Sequence, residues 1–212
     1  MKTDAFIDLL AADPPPRWRF QSQFGLMTTC GVAAAAVTFF LVVGPRHDLS
    51  QVMESLRFLF KFVVTLALAV TATGATLRIG DPARTMHRWA WALACAPTLL
   101  AGAAVIVEMV TTPNGDWFPR LVGHNAWRCV TLIPFLSIGP LVCLLLALRH
   151  GAPARPGLAG AMAGLAASGI AATFYAANCT DDSPLFVATW FSLAALIVTI
   201  TGYLAGTKLL NW

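Results

Sequence analysis

GLAGAMAGLAASGIAATFYAANCTDDSPLF, residues 157–186, decides the architecture. Its first twenty or so residues carry no charge and are long enough, at 1.5 Å per residue, to cross the ~30 Å of hydrocarbon in a bilayer as one helix. The stretch then breaks at Cys179, Asp181, Asp182 and Pro184 before a second apolar run begins. Five further apolar runs are long enough to do the same. The six spans read from the sequence are 25–43, 58–79, 89–110, 130–148, 157–177 and 185–208.

Composition agrees. The chain is 58% hydrophobic and 11% charged, against about a quarter charged in ordinary soluble domains, and its mean hydropathy is +0.71. Too few polar side chains remain to coat a water-soluble surface. The spans are continuously apolar rather than alternating with a period of two, which excludes a transmembrane β-barrel. The fold class expected is all-α: a polytopic bundle of six transmembrane helices, with lipid as its surroundings. No short basic leader with a small-residue cleavage site precedes the first span, so that helix is expected to stay attached.

Cytoplasmic loops carry an excess of Lys and Arg. Lys2, Arg17, Arg19, Arg78, Arg84, Arg88, Arg149, Arg155 and Lys208 fall on one side, nine in all, against Arg46, Arg57, Lys61, Arg120 and Arg128 on the other. Both termini are therefore expected in the cytoplasm and the CTDDSP segment outside it. Trp18, Trp89, Trp127 and Trp212 lie at span edges, where an indole ring anchors at the headgroups. Lys61 and Glu108, near the outer ends of their spans, are expected to snorkel toward water.

Gly160 and Gly164 in the fifth span, and Gly202 and Gly206 in the sixth, sit four residues apart. Small residues at that spacing let helix backbones approach closely, within one chain or between two copies, so a homo-oligomer stays open. Pro97, Pro134 and Pro140 lie inside spans and are expected to kink them, the fourth above all.

Of five cysteines, Cys30, Cys95 and Cys143 fall within spans, as small buried apolar groups. Cys129 and Cys179 fall at the outer surface, equally distant from residue 154 in the tight RHGAPARP connection between the fourth and fifth spans. In an antiparallel helix pair such residues share one height, so the two sulfurs can meet if helix rotation brings the Cα atoms within roughly 7 Å. A permanent disulfide and a thiol pair responsive to oxidants or thiol-seeking metals, with Asp181, Asp182 and His124 nearby, are both open. No CxxC or paired-His spacing defines a metal site. In TDDSP, Asp182 or Ser183 can cap the sixth helix, with Pro184 in its first turn.

Residues 3–13, TDAFIDLLAAD, read as a short acidic amphipathic helix with Phe6, Ile7, Leu9 and Leu10 on one side, ended by Pro14, Pro15 and Pro16. Interfacial helices are usually rich in Lys and Arg, whereas an acidic helix with an apolar face suits a protein groove. Residues 1–24 form a docking segment on this reading, and 25–212 a six-helix sensor domain.

Residues 128–191, from RCVTLIPFL to FVATWF, together with the closing GYLAGTKLLNW and the opening DAFIDLLAAD, resemble the NrsF-type six-helix integral membrane anti-sigma factors over essentially the full length. The joint pattern of RC, CxxDSP and GxxxGxxLLxW carries the resemblance. It implies a bacterial inner-membrane protein that sequesters an extracytoplasmic-function sigma factor through its amino-terminal segment, with no direct nucleic-acid contact, no cofactor and no turnover. It implies further that Cys129 and Cys179 sense oxidative or heavy-metal stress, that Asp181 and Asp182 support the sensing loop, and that Phe6, Ile7, Leu9 and Leu10 contact sigma. Many relatives carry His before the second cysteine; Asn178 stands there in this chain. The rival class is a membrane thiol oxidoreductase passing electrons to quinone, which typically uses a close-spaced thiol pair; here each cysteine comes from a different loop. A transporter, marked by ionisable groups within the bundle, is a third.

Overall fold

The computed structural model describes residues 17–48, 55–81, 87–112 and 117–210. The expected amino-terminal helix, with Phe6, Ile7, Leu9 and Leu10, lies outside the described residues. Helix α1 spans Arg17–Thr38 and closes in a π turn, Phe39–Val43. It is followed by α2, Leu56–Ile79, α3, His87–Thr111, the short α4, Trp117–Val122, α5, Ala126–Arg149, α6, Pro156–Ala176, and α7, Pro184–Leu209, with a π stretch at Val187–Phe191. There is no strand among the described residues.

Among the described residues six helices are long and apolar enough to cross a membrane, and each contains or overlaps one of the six runs read from the sequence, the fourth reaching back to Trp117. A chain in hydrocarbon must satisfy its backbone polar groups within the segment, so long apolar runs become helices. Hydroxyls obey the same rule: Thr76 donates to the Ala72 carbonyl at 2.7 Å and Ser137 to the Ile133 carbonyl at 2.7 Å. Large apolar side chains such as Phe40, Leu99, Val110 and Leu204 point outward, as a lipid-facing surface requires.

Helix α6 is the hub, because its small residues admit neighbours on several sides. A Cβ on Gly160 would lie 2.2 Å from the Gly202 carbonyl oxygen and 2.7 Å from the Gly206 Cα, so α6 and α7 meet backbone to backbone within one chain. On another side Gly169 faces the backbone of Ala69 in α2, where an added Cβ would come within 2.7 Å of the amide nitrogen. Helix α5 completes the inner layer, with Leu144 and Leu148 buried in one apolar cluster beside Ala159, Ala163 and Ala166. Helix α1 packs on α5, Gly31 against Pro140 and Gly139 against Ala34. Pro134 and Pro140 both lie within α5, which runs through them without a break.

At the end where α5 turns into α6, the Ala152 amide donates to the Gly80 carbonyl at 3.2 Å. The Phe20 ring of α1 fills the space beside Gly80 and Gly151. This end therefore ties the start of α1 to the α5–α6 turn.

Candidate functional site

The opposite end holds the CTDDSP segment, and the structure gathers almost every chain element onto it. Cys129, in the first turn of α5, and Cys179, after the end of α6, are both buried, at 0% and 1% exposure. They are free thiols in one cluster with Phe39, Ile133, Tyr175, Phe186 and Phe191. Cys129, Tyr175 and Cys179 thus share one buried cluster, and the Cys179 thiol has a weak acceptor in the Asp181 carbonyl at 3.7 Å. The Tyr175 hydroxyl is buried with no hydrogen-bond partner. Equal distance from residue 154 thus placed both cysteines at one height, and the rotation of α5 turned Cys129 into the buried cluster that also holds Cys179. Cys30, expected to be buried, is instead exposed on the lipid-facing side of α1, while Cys95 and Cys143 are half-buried; a thiol is small and apolar enough to sit against lipid without a partner.

Around the sulfurs lies a polar network. Lys61 of α2 is fully buried; its ammonium donates to the Cys179 carbonyl at 2.7 Å and to Asp182 Oδ1 at 2.5 Å, and lies 4.9 Å from the centre of the Phe58 ring, a cation–π distance. Snorkelling, the expectation from its place near a helix end, is not what Lys61 does. CTDDSP folds over the α2 terminus, and the ammonium finds its counter-charge inside the protein rather than in water. Arg46, just past the π turn, donates to Asp182 Oδ2 at 3.2 Å and pairs with Asp48 through two bonds of 2.6 Å. That pairing raises the Arg46 guanidinium further above its ordinary value and lowers the Asp48 carboxyl. The backbone is stitched here as well, by the Arg46 amide to the Ala177 carbonyl at 3.1 Å and by the Asn178 side-chain amide to the Gly44 carbonyl at 2.9 Å.

The second carboxylate serves another helix. Asp181 Oδ2 accepts the backbone amides of His124 and Asn125, at 3.1 and 2.8 Å, and the Asn125 side-chain amide at 3.0 Å. Asn125 is the N-cap residue of α5, so Asp181 places a negative charge at the positive end of that dipole. Gly123 makes the approach with φ of +58°, and a Cβ there would strike the Phe186 ring and lie 3.0 Å from the Asp181 carboxyl carbon.

Glu108 of α3 departs from the snorkelling expectation too. It is buried at 3% exposure. It pairs with Arg120 of α4 at 3.2 Å and accepts the Ser183 hydroxyl at 2.9 Å and the Leu185 amide at 3.3 Å. Ser183 occupies the N-cap position of α7 with Pro184 after it, as expected, yet neither it nor Asp182 caps that helix. Glu108 does so from a neighbouring helix, because Asp182 is drawn away by two cations and Ser183 donates to Glu108. The Trp190 indole fixes α4 against α7 through the Leu121 carbonyl at 2.8 Å.

The expected loop residues are thereby brought together, but as a structural knot. Asp181, Asp182 and Glu108 are committed to amides and cations, and the His124 ring is 97% exposed, 3.7 Å from Asp181. Among the described residues no cluster of three or more His, Cys, Asp or Glu side chains is placed to hold a metal. Sequence reasoning missed Arg46, Tyr175 and the buried state of Lys61 and Glu108. The available signal was the neighbourhood of two cations and two acids on the same outer loops.

The Cys179 thiol is held below its ordinary value, first by the neighbouring Cys129 thiol and then by the Lys61 charge, which together outweigh the opposing effect of burial.

A six-helix membrane protein with a buried thiol pair at one end, knotted into the loops of that end, is the class that fold and site define. The chain belongs to the family described as "Negative regulator of sigma F", NrsF, whose family model matches residues 10–212. It is 32% identical over 220 residues to "Anti-sigma-F factor NrsF" of Caulobacter vibrioides, covering 100% of both chains. It is 28% identical over 218 residues to "Probable anti-sigma-F factor NrsF" of Azospira oryzae, again covering 100% of both. No solved structure matches the chain.

Proposed function

We propose that this chain holds an extracytoplasmic-function sigma factor at the cytoplasmic face of the bacterial inner membrane and releases it when Cys129 and Cys179 are oxidised or engaged by thiol-reactive stress agents. Residues 1–24 are the docking segment, with Phe6, Ile7, Leu9 and Leu10 as its apolar face. Both termini lie in the cytoplasm, and Asp181 and Asp182 belong to the sensing loop outside.

The observation that carries this reading is the meeting of two buried free thiols from different helices, α5 and the α6 exit, inside a knot that also fastens α1, α2, α3 and α7. Modifying or bridging such a pair changes the relation of α5 to α6 at one end of the bundle. At the other end the same two helices form the turn that bonds Gly80 and touches Phe20, which lies in the docking segment at the start of α1. A rigid helix pair can carry a displacement across that distance, and a coupling of ~1–3 kcal/mol shifts affinity roughly 5- to 150-fold. That range is sufficient to free a bound regulator.

The test is a sigma-dependent reporter in cells carrying Cys129→Ser or Cys179→Ser. Repression persists in both variants and induction by peroxide is lost; induction equal to wild type in both would overturn the thiol reading. Orientation is tested with a single cysteine at His124, the exposed ring of the outer loop, in a cysteine-free background. It reacts with an impermeant maleimide on intact spheroplasts, and labelling that needs lysed cells would reverse the topology.

A further inference from the structure

The two thiols stand in unlike surroundings. Cys179 has the Lys61 ammonium on its own carbonyl at 2.7 Å and the Arg46 guanidinium at 3.5 Å; its own S–H has only a weak acceptor, the Asp181 carbonyl at 3.7 Å. Cys129 lies in the same apolar cluster with no hydrogen bond from a cation among the described residues, beside Tyr175, whose buried hydroxyl has no hydrogen-bond partner. Of the negative charges near Cys179, Asp182 is paired with Lys61 and Arg46, while Asp181 is held by backbone amides and keeps a charge that opposes the thiolate.

From this asymmetry we propose that Cys179 is the thiol that reacts first with a hydroperoxide, that Cys129 resolves the product into a disulfide, and that Lys61 is the positioning cation that sets this order. The inference rests on the sensor reading above and adds a direction and a residue to it. In the first step the Cys179 thiolate attacks one peroxide oxygen and the O–O bond breaks. The sulfur becomes a sulfenic acid, oxidised by two electrons, and the departing hydroxide takes up the proton released by the thiol and leaves as water. In the second step the Cys129 sulfur attacks the Cys179 sulfur. The S–O bond breaks, an S–S bond forms, and the hydroxyl leaves with the Cys129 proton as a second water. One peroxide and two thiols give one disulfide and two waters. The Lys61 charge favours the thiolate and so the attack; it touches no reacting atom.

The experiment uses the purified full-length protein in detergent, limiting hydrogen peroxide, dimedone to trap sulfenic acid, and peptide mass spectrometry. Cys129→Ser, which lacks the resolving thiol, accumulates dimedone on Cys179. Cys179→Ser labels Cys129 at least roughly tenfold more slowly at neutral pH. In the Cys129→Ser background, Lys61→Met slows labelling of Cys179 roughly tenfold and moves its pH profile upward, as expected when a cation leaves the side of a buried thiolate, while Lys61→Arg restores both. The charged and titratable groups facing Cys179 are Lys61 of α2, Arg46 after α1, Cys129 of α5, Tyr175 of α6, and Asp181 and Asp182 of its own segment. Arg46, Asp181 and Asp182 are unchanged in every variant, and the Lys61 comparison keeps the other groups the same.

Equal labelling of the two single-cysteine proteins overturns the order, and an unmoved pH profile in Lys61→Met overturns the role of Lys61. Should Lys61→Met fail to fold, the two cysteine variants decide the order by themselves. Either failure leaves the cellular induction test standing, because that test asks whether the thiols are needed and not which reacts first.

Discussion

Replacing Asp182 by Asn removes the counter-charge of a fully buried lysine, and the structure fixes what Lys61 would have left. Of its contacts, the Cys179 carbonyl at 2.7 Å and the face of Phe58 at 4.9 Å remain, with a neutral amide oxygen in place of the carboxylate. Arg46 suffers less, because its two 2.6 Å bonds to Asp48 persist. Breaking one side of a buried pair leaves an uncompensated charge and costs about 3–5 kcal/mol. At roughly 2–4 °C per kcal/mol for a chain of this size, the apparent Tm falls by about 6–20 °C. The assay is thermal unfolding of the purified protein in detergent, followed by circular dichroism. A second arm removes both partners: Lys61→Met combined with Asp182→Leu fills the same space without burying a charge, and recovers to within about 1 kcal/mol of wild type. A loss below about 1 kcal/mol in the single Asn variant, the range of an exposed ion pair, would refute the buried-charge account. A double variant no better than the single one would refute the assignment of the cost to Lys61.

The remaining expectations concern packing, the second knot and the docking segment. Gly160→Ala forces a Cβ to within 2.2 Å of the Gly202 carbonyl oxygen and costs about 1–3 kcal/mol by overpacking, whereas Gly25→Ala, with nothing within 4 Å, leaves the unfolding temperature where it was or raises it slightly. Glu108→Ala leaves the Leu185 amide and Ser183 hydroxyl without their acceptor, at about 1–3 kcal/mol, and hydrogen exchange at the α7 start reads it as faster opening there. Raising pH from 6 to 8 increases alkylation of Cys179 earlier than that of a free model thiol, since its thiolate form is favoured in the fold; a profile matching the free thiol would contradict this. Deleting residues 1–13 abolishes co-purification of the sigma factor while membrane insertion is kept, and retained co-purification would place the docking surface elsewhere.

The six helices were legible in the sequence because hydrocarbon leaves the backbone one economical solution, and a run such as 157–177 announces it by length and lack of charge alone. The GxxxG pairs announced close packing for a similarly local reason, and the equal spacing of Cys129 and Cys179 about residue 154 gave their common height. Rotation and enclosure were decided only by the tertiary structure. Which faces of α5 and α6 turn inward depends on all of their neighbours at once, so the sequence held the two thiols at one level without making them meet. It likewise left open whether Gly160 faced Gly202 of its own chain or of another. Lys61 and Glu108 show the limit most plainly: near a helix end either group can reach water, and it is the fold of CTDDSP across the bundle end that shuts the water out and supplies Asp182, Ser183 and the Leu185 amide in its place.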